Sequence, residues 1–167
     1  MTLKNYQLLT SRTNTDLGSK AINASHMMLG IVGEWGEAER EFYTINMDST
    51  DNEVGLAVDE QIDVVWYCSE LANLYNIELK PVSHSGDIAE SVTRLAEGIK
   101  KYLAYGKELQ PSFVEDKLNY IVGFCKFRVK QLGYSFETGL DRNIAKLQKR
   151  FPEKFSAELA LAKGDEN

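Results

Sequence analysis

With 167 residues, 43% hydrophobic and 26% charged, the chain has the size and composition of one globular domain with a sizeable core. Its net charge of −6 is unevenly spread: residues 1–81 carry 5 Lys and Arg against 13 Asp and Glu, and residues 82–167 carry 14 against 12. That division argues against a general nucleic-acid binder, which needs a broad basic face. The lack of a long apolar run argues against a membrane span, and the N-terminus shows no signal pattern.

Apolar residues recur mostly at spacings of three and four, which predicts helices throughout. The expected elements are a short helix over Leu3–Thr10, a long one over Ala21–Tyr43, a polar loop "TINMDSTDN", and a second long helix over Val54–Tyr75. A connector "NIELKPVSHSG" leads to helices over Asp87–Tyr105 and Phe113–Leu132, joined by "GKELQPS". A closing helix covers Phe136–Arg150, and the alanine-rich tail after Phe155 is expected to be helical. Pro81, Pro111 and Pro152 each fall where a helical pattern runs out. The expected fold is an all-α antiparallel bundle of about five main helices. Cys68 and Cys125 lack metal-ligand spacing, which points to buried free thiols in a reducing, cytoplasmic setting.

The chemistry concentrates in two acidic pairs. Glu34 and Glu37 in "GEWGEAERE" stand at i, i+3 on one helix face. After 22 intervening residues, Glu60 and Asp63 in "DEQIDVVWY" repeat that spacing. Antiparallel pairing across the nine-residue loop brings both pairs to one level. Each close pair of carboxylates costs roughly 1 kcal/mol in water and about 4 kcal/mol at an intermediate dielectric. Four together persist only with protons, basic partners or a divalent metal, and oxygen ligands without His or Cys select Mg²⁺ or Mn²⁺. The bland alternative is a pair of solvated acidic faces that never meet. Against it, Asp63 stands at the edge of the apolar "VVWYC" stripe. Gly33 and Gly36, at roughly 1 kcal/mol each within a helix, suggest close approach by another helix or a ligand. A ferritin-like di-iron bundle needs Glu-x-x-His pairs, and neither His26 nor His84 follows a glutamate by three.

"LGIVGEWGEAERE" followed by "DEQIDVVWYCSELANLYNI" resembles the Glu-x-x-Glu … Glu-x-x-Asp signature of the all-α nucleoside triphosphate pyrophosphohydrolases. These include MazG-like proteins, dimeric dUTPases and phosphoribosyl-ATP pyrophosphohydrolases. The opening "NYQLLTSRT" and the closing "DRNIAKLQKRFPEKFS" are similar to the two ends of MazG-like chains. The resemblance implies that Glu34, Glu37, Glu60 and Asp63 bind Mg²⁺, with Mn²⁺ as a substitute. It implies hydrolysis of a (deoxy)nucleoside triphosphate to the monophosphate and pyrophosphate, with Glu37 or Glu34 as general base. It also implies a homodimer. The rival readings are a non-catalytic helical module that holds a cation or a protein partner, and a phosphoribosyl-ATP pyrophosphohydrolase-like enzyme.

A 57-residue shift lays "IKKYLAYGKELQPSFVEDKLNYIVGF" over the acidic hairpin. It aligns Glu34 with Ser91, Glu37 with Arg94, Glu60 with Lys117 and Asp63 with Tyr120. The chain thus reads as an acidic half (about 21–80), a degenerate second copy (about 82–137) and the closing helix, an arrangement similar to the dimeric dUTPases. On that reading Lys100, Lys101, Lys107, Asn143, Lys146 and Arg150 are candidates for phosphate or nucleoside contact. Asn143, Lys146 and Arg150 lie at i, i+3 and i+7, on one stripe. A solvated basic face is the plainer reading for Lys100 and Lys101, whose side chains diverge by about 100°, and a helix C-cap is the plainer reading for Arg150. Trp35 is a candidate for base stacking, Trp66 is expected in the core, and His26 and His84 are expected at the surface or at helix starts.

Overall fold

The computed structural model describes residues 1–151. Those residues form six helices and no strand: α1 (Leu3–Thr10), α2 (Lys20–Thr44), α3 (Asp51–Leu74), α4 (Ala89–Tyr105), α5 (Pro111–Gln131) and α6 (Phe136–Arg150). The chain is an all-α bundle, as its periodicity predicts. The helical tail expected after Phe155 lies outside the described residues, as does Pro152.

Local chemistry sets the ends of the helices. Thr50 and Glu53 form a reciprocal capping box, with Thr50 N donating to Glu53 Oε2 at 2.7 Å and Glu53 N to Thr50 Oγ1 at 3.3 Å. The box draws Asp51 and Asn52 into α3, which therefore starts before the expected Val54. Asp87 accepts from Ala89 N at 2.8 Å and stays outside α4. Pro111 opens α5 instead of marking the end of a helix, because the first helical position has no intrahelical use for an N–H.

α2 and α3 run antiparallel. The Tyr67 ring lies on Gly30, and Gln61 Nε2 donates to Ala38 O at 3.2 Å, so positions rise on one helix as they fall on the other. A Cβ at Gly30 would sit 2.2 Å from that ring, whereas one at Gly33 or Gly36 would meet nothing within 4 Å. The close approach expected at Gly33 and Gly36 is therefore found one turn earlier. α4 packs on α2, α5 on both α3 and α4, and α1 and α6 cover α3. One core joins Tyr6 of α1, Ile31, Ile62, Leu71, Leu95, Leu118, Ile121 and Leu140 of α6. Each such burial contributes about 1.5–3 kcal/mol.

α5 stands where the 57-residue shift puts α3, and α4 begins well after the shifted start of α2. The intervening residues 77–88 are a connector without regular structure, pinned at several points. Gln7 Oε1 accepts from Leu79 N and Asn119 Oδ1 from Lys80 N. His84 Nδ1 accepts from Gly86 N, which leaves Nε2 to donate to Tyr120 O at 2.7 Å. His84 is thus a connector residue rather than a helix start. At the shifted acid positions Ser91 is buried, Arg94 pairs with Glu90, Lys117 with Asp116, and Tyr120 stacks on His84. Cys68 and Cys125 are buried free thiols.

Candidate functional site

The register of α2 against α3 brings Glu34, Glu37 and Glu60 together. One carboxylate oxygen from each lies within 4.8 Å of the others. Two oxygens on opposite sides of one Mg²⁺ stand about 4.2 Å apart, so small rotations close the set around an ion. Glu37 is exposed, while Glu34 and Glu60 are partly buried.

Asp63 stands beside the three but is held differently. Its Oδ1 accepts from Asn143 Nδ2 and its Oδ2 from Lys146 Nζ, both at 2.5 Å. Asn143 is fully buried, and its Oδ1 accepts from the buried Tyr6 hydroxyl at 2.7 Å. Both ends of the Asn143 amide are therefore used inside the protein. Asn143 orients Asp63, and the substrate contact expected of it gives way to that role. Arg142 adds a two-point bridge to Asp59, 3.0 Å at each contact, which fixes α6 across α3 next to Glu60.

Burial, the nearby Asp63 and Glu60 charges, and then Glu37 push Glu34 up to about 7. Burial, Asp63 and Glu37 push Glu60 to about 7 as well. Lys146 opposes both shifts without cancelling them. Burial raises Asp63 too, against Lys146 and Asn143. A carboxyl held above its ordinary value stabilises the fold while protonated, so this contribution is complete below about pH 4.5 and is lost as pH rises through about 7. Without divalent ions, the thermal midpoint is therefore expected to fall from pH 5.5 to pH 8. After solvent screening of these half-exposed groups the loss is about 1 kcal/mol, or about 2–4 °C. Calorimetry in a chelator checks this, with Glu60→Gln flattening the profile; a midpoint that rises over that range contradicts it.

A cavity of about 220 Å³ opens beside the acids. Glu34, Asp63, Lys146 and Arg150 form its polar side, and Trp66, Tyr67, Leu147 and Phe151 its apolar side. Trp66 and Tyr67 pack edge to face at 4.9 Å, and Trp66 Nε1 donates to Thr13 Oγ1 at 3.2 Å. Trp66, expected in the core, packs on the core and lines the cavity at once. Its spacing of three from Asp63 was the available signal. Tyr6 and Thr13 carried none, because they reach the site from the N-terminal segment.

Trp35 is elsewhere. It follows Glu34 directly and so points about 100° away, into a second recess with Glu39, Tyr43, Phe124 and Arg128. There Glu39 pairs with Arg128 at 3.4 Å, and the guanidinium stacks on Phe42 at 3.8 Å. Lys100 and Lys101 both pair with Glu97 on α4, and Lys101 and Lys107 line a cleft apart from the acids. Trp35, Lys100, Lys101 and Lys107, the candidates for substrate contact, are therefore not among the residues that line the cavity beside the acids. Lys146 and Arg150 do reach that cavity. His26 is partly buried within α2, its ring edge-on to Tyr67 at 6.2 Å.

No helix among the described residues is long and apolar enough to cross a membrane. Comparison with models of known families, with characterised proteins and with solved structures finds no match to the chain.

Proposed function

We infer that the chain is a Mg²⁺-dependent nucleoside triphosphate pyrophosphohydrolase that releases pyrophosphate and a nucleoside monophosphate, acting in the cleansing of nucleotide pools. One observation carries this reading: carboxylates of Glu34, Glu37 and Glu60 from two helices come together beside a cavity that basic and aromatic side chains also line. The donor set fits Mg²⁺, being all oxygen, mutually repelling and, among the described residues, without an ion pair at Glu34, Glu37 or Glu60. When bound, the ion supplies charge neutralisation at the phosphates and acidifies water.

The residues divide the remaining work. Glu34, Glu37 and Glu60 hold the ion, and Asp63, fixed by Asn143 and Lys146, completes or steadies the set. Lys146 and Arg150 place positive charge along the cavity where a polyphosphate lies. Trp66, Tyr67 and Phe151 exclude water and present flat apolar surface to the nucleoside. Glu34 lines the cavity, whereas the exposed Glu37 does not, so Glu34 is the better placed of the two for proton removal from the attacking water.

The test is incubation with a panel of ribo- and deoxyribonucleoside triphosphates and Mg²⁺, read as released pyrophosphate. Turnover of at least one nucleotide, abolished by chelation, is expected. Cation binding without turnover of any nucleotide favours the non-catalytic module instead.

A further inference from the structure

A larger opening lies on the other hairpin. The cleft between α4 and the start of α5 has a volume of about 580 Å³, within the range of about 300–1,000 Å³ typical of small-ligand sites. It shares no lining residue with the cavity beside the acids. Gly106, left-handed at φ 68°, ends α4 and turns the chain back, so that Leu109 covers the inner side of α4 before Pro111 starts α5. The floor is apolar, formed by Gly98, Leu109 and the Phe113 ring.

The rim is basic. Arg94, Lys101 and Lys107 line it, and its two acids are already engaged. Glu97 takes Lys100 and Lys101, the latter at 3.3 Å, and Glu108 takes Lys20 at 2.6 Å. Arg94 is held by Glu90 at 2.8 Å. Lys107 lines the cleft and makes no ion pair among the described residues. In a chain with net charge −6, a basic rim over an apolar floor departs from the average surface and selects by charge as well as by shape.

We propose that this cleft binds a small amphipathic anion, with a flat or short apolar body against Leu109 and Phe113 and an anionic head between Lys101 and Lys107. The site is independent of the acidic cluster and needs no divalent ion. It gives these lysines a role in a cleft that shares no lining residue with the cavity beside the carboxylates.

The probe is 8-anilinonaphthalene-1-sulfonate, an aromatic body carrying one sulfonate, titrated by fluorescence into the folded protein in chelator. Saturable binding is expected in the wild type. The double reversal Lys101→Glu with Lys107→Glu weakens it at least tenfold. So does Thr93→Trp, which fills the cleft from an exposed wall position and leaves every charge in place. Lys130→Glu, at the far end of α5, leaves binding unchanged. Octanoate displaces the dye, whereas inorganic phosphate at the same concentration does not. Absence of saturable binding, unchanged affinity in either cleft variant, or displacement by phosphate alone overturns the proposal.

Discussion

Glu60→Gln is expected to reduce pyrophosphate release to less than about a hundredth of the wild-type rate, while the protein stays folded. The amide keeps the shape of the side chain and removes one charge from a set that Glu34, Glu37 and Asp63 already crowd. Desolvation, Asp63 and Glu37 push Glu60 up to about 7. Losing the charge therefore relieves repulsion, and at pH 8 without divalent ions the variant is expected to be at least as stable as the wild type. Asp63→Asn differs in sign. It also stops turnover, but one of the two oxygens that accept from Asn143 and Lys146 at 2.5 Å becomes an amide donor, so a contact is lost and stability falls. Rate and melting temperature measured together separate the two. Full activity in Glu60→Gln contradicts the functional reading, and a large loss of stability in it contradicts the account of the cluster.

The second large effect is steric. Gly30→Val is expected to lower unfolding stability by about 2–3 kcal/mol. The new Cβ would begin 2.2 Å from Cδ1 and Cε1 of Tyr67, which are the body of a ring and not a flexible tip. α2 and α3 must then separate, and the acids they carry separate with them. Gly33→Ala, one turn on, meets nothing within 4 Å and is expected to gain up to about 1 kcal/mol of helix propensity. Urea titration of the two variants reads opposite signs, and equal effects in both contradict the packing described.

The same contrast shows what the sequence could reveal. Periodicity and short connections made the helices, their antiparallel pairing and the meeting of Glu34 and Glu37 with Glu60 legible, whereas the tie of Asp63 to Asn143 and Lys146 was not. The bounds of α6 were legible because Ser135 caps its start, accepting from Thr138 N at 3.0 Å. A period of 3.6 says which residues share a face, but not which neighbour covers that face. Gly33 and Gly36 therefore looked like contact points when Gly30 is the one. For the same reason Trp35 looked nearer to the chemistry than Trp66. Asn143, Lys146 and Arg150 were correctly read as one stripe. That the first is fully buried depends on α1, whose Tyr6 lies 137 residues away in the chain. The lysines of α4 were assigned to phosphate by analogy between the two hairpins. Their own ion pairs and the turn at Gly106 place them on a different surface.

The central claim is that Glu34, Glu37 and Glu60 share one divalent ion. Calorimetric titration of the chelator-stripped protein with Mn²⁺ at pH 8 tests it most directly. The expected result is one saturable site per chain, weakened at least tenfold in Glu60→Gln and unaffected by Lys101→Glu. No saturable binding, or equal binding by wild type and Glu60→Gln, contradicts the claim.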